Sequence, residues 1–294
     1  MGNSLLYVIT VLVWGSTWLA IKYQLGVVSP ELSVAYRFFL ASLLLFLYCI
    51  WKKLPLRFSA RQHGFIAMQG LLLFSANYIL VYFAEGYVTS GLVAVIFSSI
   101  IILNVLFGAL LLGSPVRGRV VLGALVGIGG LALIFWPELA DFDLSGGPAL
   151  GLTLAVISSV SASLGNIVSA RNQREQIPVI QTNAYGMAYG ATFTLLIALG
   201  RGVEFNFDPS TGYVASLLYL ALFGSVVAFG SYLTLLGRIG ADRAAYITIV
   251  FPVIALFLSA LFEGLEFNSV QFLGVALVLG GNLIVLQRKK APAT

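Results

Sequence analysis

Ten apolar runs, each close to twenty residues long and separated by short polar gaps, fill the chain. They lie at about 4–22, 32–51, 64–84, 88–112, 119–136, 149–170, 179–199, 213–236, 243–262 and 270–287. A helix needs roughly 20 mainly apolar residues to cross the hydrocarbon core of a bilayer. Such a segment satisfies its backbone hydrogen bonds internally, as lipid demands. Each run is therefore expected to be a transmembrane helix. Gaps such as Leu54-Pro55-Leu56-Arg57, Gly113-Ser114-Pro115 and Asp141 to Pro148 hold the proline, glycine and charge expected of turns. The fold class that follows is all-α integral membrane, with ten transmembrane helices.

Composition agrees, since 60% of residues are hydrophobic and only 9% are charged. A soluble domain carries about 25% charged residues, so 16 basic and 11 acidic side chains would not cover a core of this size. The net charge of +5 does not mark a nucleic-acid surface, because the basic residues form no continuous patch. They occupy the gaps, and they alternate. Lys52, Lys53, Arg57, Arg61, Arg117, Arg119, Arg171, Arg174, Arg238, Arg243, Arg288, Lys289 and Lys290 fall on one side of the expected membrane. Only Lys22 and Arg201 fall on the other, and Arg37 lies within a run. Cytoplasmic loops are rich in Lys and Arg, so both termini are expected in the cytoplasm of a cell with a multi-pass inner membrane protein. The residues before the first run include no basic side chain, so that run is expected to be a retained helix and not a cleaved signal. One cysteine, Cys49, and one histidine, His63, exclude an intrachain disulfide and a His/Cys metal centre. No metal and no cofactor are expected.

The chain resembles itself. Leu122-Gly123 to Gly129-Gly130 reappears as Leu273-Gly274 to Gly280-Gly281, an offset of 151 from Gly123 to Gly274. Ala35-Tyr36 is echoed by Ala184-Tyr185, and Thr89-Ser90-Gly91-Leu92 occupies the place of Gly240-Ala241-Asp242-Arg243. Five spans per copy make the copies insert in opposite senses. Inverted repeats are a recurring transporter design, with the solute site at their interface near the midplane. Two five-helix repeats, 1–140 and 149–290, are expected.

With these residues in view, the chain resembles the drug/metabolite transporter superfamily in its ten-helix form with two EamA-type repeats. The likeness rests on Trp14-Gly15-Ser16-Thr17-Trp18 and Lys22 in the first run, and on Tyr36-Arg37-Phe38 in the second. It continues in Thr89-Ser90-Gly91-Leu92-Val93-Ala94, in Phe251-Pro252 and in the two Leu-Gly…Gly-Gly runs. Two features depart from the family pattern. Gly113-Ser114 stands where a Gly-Glu is frequent, and the helix proline occurs only in the second copy, as Pro252. The resemblance implies secondary export of a small organic metabolite, amino acids first and aromatic ones among them. Export of cationic drugs or other metabolites by proton antiport is the alternative it leaves. That rival favours a buried Glu in the first helix, where this chain has Trp14.

Polar side chains in lipid are costly unless they face the bundle interior or water. That criterion selects the substrate candidates Trp14, Ser16, Asn77, Tyr78, Tyr82, Ser98, Ser99, Ser161, Asn166, Tyr185, Tyr232, Tyr246 and Thr248. Hydroxyl and amide groups would hold the polar part of a solute and the aromatic walls its apolar part. Thr17, Trp18, Asn104, Ser158, Ser163, Tyr189 and Thr234 are weighed beside them. The competing expectation for any Ser or Thr is a bond to its own backbone. Trp18, near the outer end, is expected to anchor at the interface. Arg37, the one charge within a run, is expected to serve structure, by snorkelling or by pairing with Glu31, with attraction of a carboxylate as the other reading, and Lys22 to mark a boundary, with guarding of the cavity mouth as the other reading. Gly91, Gly108 and Pro252 are the expected hinges for alternating access.

No Asp or Glu lies deep in any run, and no Walker Gly-x-x-x-x-Gly-Lys-Ser/Thr is present. ATP is therefore not the fuel. A facilitator driven by the solute gradient is expected, with coupling through an exposed carboxylate such as Glu85 as the other option. An intramembrane enzyme would want clustered Asp, His or metal-binding carboxylates, and a channel would want charged rings or long pore loops. The sequence offers neither.

Overall fold

The computed structural model describes residues 1–24, 26–88, 90–140, 146–263 and 268–286, with the side chains of residues 18, 19, 22, 90–92, 137, 138, 255, 256 and 259–263 set aside. Trp18, Lys22 and the hinge candidate Gly91 thus fall outside the described side chains. Helices account for all the regular structure among the described residues. They form ten rods: α1 Asn3–Lys22, α2 Pro30–Trp51, α3 Ala60–Glu85, α4 Ser90–Phe97 with Ile100–Leu112, and α5 Gly118–Ile134. The second set is α6 Gly147–Arg174, α7 Val179–Gly200, α8 Thr211–Ile239, α9 Ala241–Ala244 with Ile247–Glu263, and α10 Ser269–Leu286. A short helix, Trp136–Ala140, follows α5.

Six rods are long and apolar enough to cross a membrane outright, and Asn3–Thr17 and Gly118–Ile134 add shorter apolar stretches. In α7 the polar residues Gln181, Thr182 and Asn183 are buried, so its polarity faces the bundle and not lipid. Leu110, Leu122, Phe39 and Leu283 are among the large apolar side chains left exposed, as a lipid-facing surface requires.

Several rods outrun the apolar runs because polar caps prolong them. Ser59 caps α3 in a reciprocal capping box with Gln62, which starts the helix at Ala60. Ser29 accepts from the Leu32 amide and Pro30 occupies the first turn of α2. Gly113 ends α4 at φ +60°, a left-handed conformation that glycine adopts without steric cost.

Two departures from regular helix were not legible beforehand. Gly70–Ala76 in α3 and Leu220–Val227 in α8 are π-helical. Both α4 and α9 are broken by a turn, at Ser98-Ser99 and at Ala245-Tyr246. There the ladder tightens to three-residue bonds, Ser99 N to Ile96 O at 2.9 Å and Thr248 N to Ala245 O at 2.9 Å. The breaks fall away from the expected hinges. Gly108 and Pro252 both lie inside the longer helical pieces.

Packing is reciprocal between the halves. α1 lies on α8 and α9, whereas α6 lies on α3 and α4. α2 pairs with α7, and α5 with α10. The α5–α10 contact is backbone on backbone. A methyl group built on Gly123 would sit 2.7 Å from the Gly281 carbonyl oxygen, and one on Gly130 would sit 2.6 Å from that of Gly274. The pairs run in opposite senses, so the helices are antiparallel. The offset that takes Gly123 to Gly274 also takes Gly130 to Gly281, so it exchanges the two contacts, as a two-fold axis does.

Candidate functional site

A cavity of about 110 Å³ lies inside the bundle between α1, α2, α3, α4, α6, α8 and α9. At roughly 10–15 Å³ per water it has room for a small organic molecule. Its walls are aromatic: Trp14, Tyr78, Tyr82, Phe97, Phe229, Tyr232 and Phe251. Thr17, Arg37, Asn77, Glu85, Asn166 and Thr248 are its polar points. The lining extends to Ile21, Glu85 and Val93, which stand at the end of the bundle remote from the basic loops.

The π-helical turn of α8 fixes two of these side chains. A π turn displaces carbonyls from their usual partners. The Gly224 carbonyl accepts from Trp14 Nε1 at 3.2 Å, and the neighbouring Ser225 hydroxyl accepts from Arg37 Nε at 2.9 Å. Gly224 also makes room, because a methyl group there would lie 3.0 Å from both the Arg37 guanidinium and the Thr17 methyl. The π turn of α3 is used in the mirrored way. Its Leu72 carbonyl accepts from Ser161 of α6 at 2.8 Å.

Trp14 is then held ring to ring, 5.0 Å from Phe229 and 5.0 Å from Tyr232. Asn77 Oδ1 accepts from Ser158 at 2.8 Å. Asn166 donates to the Tyr232 hydroxyl at 2.9 Å, and its own carbonyl oxygen is buried without a hydrogen-bond partner. Oε1 of Glu85 is in the same condition. Arg37 is only 2% exposed. Its guanidinium lies 5.1 Å from the Tyr78 ring centre and 5.4 Å from that of Phe38.

Seven of the thirteen substrate candidates line this cavity: Trp14, Asn77, Tyr78, Tyr82, Asn166, Tyr232 and Thr248. The hydroxyl of Thr248 is already spent on the Ala245 carbonyl at 2.7 Å. The other six lie elsewhere. Ser16 bonds the Val13 carbonyl and the Tyr219 hydroxyl, bolting α1 to α8. Ser98 bonds the Val95 carbonyl, and Ser99 begins the second piece of α4. Ser161 is committed to the α3 π turn. Tyr185 donates to the Leu56 carbonyl and packs on His63 and Phe46 beside a basic loop. Tyr246 donates to the Val278 carbonyl at 2.9 Å between α5 and α10.

Arg37 corrects the sequence reading. Its expected partner Glu31 pairs with Arg201 at 3.1 Å instead, and Arg37 turns inward to the cavity. The signal was available in spacing. Ser33, Arg37 and Ala41 are four apart, and all three are buried, so small residues a turn above and below the arginine marked an inward face. The apolar walls Phe97, Phe229 and Phe251 carried no such signal, being indistinguishable in sequence from lipid-facing phenylalanines.

A second cavity, about 320 Å³, lies toward the basic loops and is lined by Asn104, Gly108, Arg117, Gln173, Arg174 and Asp242 among others. A polar layer separates it from the first. Ser163 donates to Asn104 Oδ1 at 2.7 Å, Asn104 donates to the Ala241 carbonyl at 2.9 Å, and Asn166 donates to Tyr232 beside them. Arg117 and Asp242 close the far side in an ion pair at 2.8 Å. Arg174 spans the same end to the Leu112 carbonyl and Ser114.

The model of the EamA-like transporter family matches residues 2–136 and again 149–287. The "Uncharacterized inner membrane transporter YedA" of Escherichia coli (strain K12) is 26% identical over 278 residues, covering 93% of this chain and 87% of that protein. The "Probable amino-acid metabolite efflux pump" of the same organism is 24% identical over 307 residues, covering 98% of this chain and 97% of its own length. One solved structure superposes at a TM-score of 0.79 over 97% of this chain and 96% of its own, at 19% identity, a likeness that shows the fold alone.

Proposed function

The chain belongs to the EamA-like transporter family, and from that premise we propose that it exports amino acids across the inner membrane by alternating access at the aromatic cavity. It is a transporter and not an enzyme. The lipid bilayer is its solvent and a small molecule is its substrate. Two halves, 1–140 and 149–290, related in an inverted sense supply the moving bodies. The exchange of the Gly123–Gly281 and Gly130–Gly274 contacts supports that division.

The observation that carries the reading is a pair of cavities with hydrogen-bonded polar side chains between them. The first reaches away from the basic loops. The second reaches toward them. Opening the layer of Asn104, Ser163, Asn166 and Tyr232 while closing the opposite end would pass a solute from one side to the other. Trp14, Phe229 and Tyr78 offer faces for an apolar side chain, and the amides of Asn77 and Asn166 serve its polar end. The name of the efflux-pump relative agrees with this substrate class.

Uptake of a panel of labelled amino acids into proteoliposomes tests it, with and without a pH gradient. The expected result is saturable uptake, strongest for aromatic side chains and equal in both conditions, which is facilitated diffusion. Acceleration by the gradient would restore proton coupling, with Glu85, which lines the cavity, as the carboxylate to vary next. Absence of uptake for every amino acid would remove the substrate class.

A further inference from the structure

We propose that Arg37 and Glu85 read the two charges of a zwitterion, Arg37 holding the carboxylate and Glu85 the ammonium group of an α-amino acid. This rests on the amino-acid reading above and adds the residues that set charge specificity.

Arg37 is a fully buried guanidinium, and among the described residues no carboxylate lies within 4.0 Å of it. A buried cation needs a counter-charge, because desolvation without pairing is expensive. Its Nε donates to Ser225 and its guanidinium also hydrogen-bonds the Tyr78 side chain, which leaves the remaining N–H groups of the outer nitrogens for a carboxylate. Those nitrogens present the planar fork that suits a carboxylate. Tyr78 and Phe38 flank the cation and hold it in place.

Glu85 lines the same cavity and has a buried oxygen without a hydrogen-bond partner. Tyr78, Tyr82 and Glu85 follow one face of α3 at spacings of four and three. Seven residues of helix rise place Glu85 roughly 10 Å along the axis from Tyr78, and Arg37 is beside Tyr78. An ammonium and a carboxylate on one carbon, each with a charge-assisted bond of about 2.8 Å at its outer side, bridge a gap of that order. The pair also discriminates. An organic cation without a carboxylate meets Arg37 as a like charge, and an organic anion without an amine meets Glu85 as one.

Binding to the purified transporter in detergent, read by calorimetry, provides the test. The probes are phenylalanine, phenethylamine, which lacks the carboxylate, and 3-phenylpropionate, which lacks the ammonium group. On the unmodified chain phenylalanine is expected to bind at least about thirtyfold more tightly than either analogue. Arg37→Gln is expected to remove its advantage over phenethylamine, and Glu85→Gln its advantage over 3-phenylpropionate. Arg37→Lys is expected to keep part of the first. If phenylalanine binds and both analogues match it, the charge assignment is overturned while the amino-acid reading stands. If 3-phenylpropionate alone binds, with Arg37→Gln abolishing it, the role of Glu85 and the amino-acid reading fail together. If none of the three binds, both proposals fall. The analogue series needs no variant and can overturn the proposal by itself, and Arg37→Lys and Glu85→Gln carry the residue assignment should Arg37→Gln fold poorly.

Discussion

Tyr246 and Thr248 stand two positions apart at the start of the long piece of α9, and the sequence makes both of them candidates for the solute site. Tyr246 lies in the turn that breaks α9 and Thr248 in the helix that resumes at Ile247, and they face different ways. Thr248 faces the cavity, and Tyr246 is driven between α5 and α10. The glycines Gly127 and Gly281 leave the space that its hydroxyl fills, and a methyl group on either would overlap it. Gly127→Ala is therefore expected to cost about 1–3 kcal/mol by overpacking, seen as a lower midpoint of thermal unfolding in detergent. Asn104 argues the same point for a polar residue. Asn104→Leu would leave the Ala241 carbonyl and the Ser163 hydroxyl unsatisfied, at about 1–3 kcal/mol for each group left buried. A variant as stable as the parent would mean that neither bond is needed.

The helices that matter most are the irregular ones. A regular α8 would keep the Gly224 carbonyl within its own ladder. The π turn releases it to Trp14 and sets Ser225 against Arg37. Trp14→Phe keeps the ring contacts with Phe229 and Tyr232 but removes that bond. It is expected to weaken phenylalanine binding several-fold, with stability lowered by no more than the roughly 1 kcal/mol that one hydrogen bond contributes. An equilibrium binding curve identical to that of the parent would show that the bond does not position the wall. At the α5–α10 crossing the governing feature is the missing Cβ. Gly130→Ala drives a methyl group into the Gly274 carbonyl and Leu277, so the helices must part and the variant is expected to be destabilised more than Gly129→Ala, which meets open space.

For the whole molecule, the closed end and the chain ends are the informative places. Arg238 donates to the Met1 carbonyl, which brings the start of α1 to the end of α8 on the basic-loop side. Tags on both termini are expected to report the same face of the membrane, and a protease-protection assay with the two tags on opposite faces would break the ten-span topology. The Arg117–Asp242 pair, with side chains 35% and 12% exposed, is a modest bond that works by position. Arg117→Asp is expected to raise thiol labelling from the basic-loop side of a cysteine placed at Ile100 in a Cys49→Ser background. The exchange of charges, Arg117→Asp with Asp242→Arg, is expected to restore protection.

The linear chain determined what solvent would surround it. Twenty-residue apolar runs, loop charge that alternates, and the Leu-Gly…Gly-Gly copies were enough for all-α membrane architecture, because desolvation of the backbone acts on each segment separately. Seven of the cavity residues, Asn77, Asn166 and Trp14 among them, were also legible as polar or amphipathic groups deep in such runs. Tertiary structure alone decided where those groups point. Whether Ser161 meets a solute or the Leu72 carbonyl, and whether Arg37 meets Glu31 or the cavity, depends on which helix packs opposite. Hydrophobic periodicity cannot report that in a helix apolar on all sides, since facing a neighbour and facing lipid call for the same side chains.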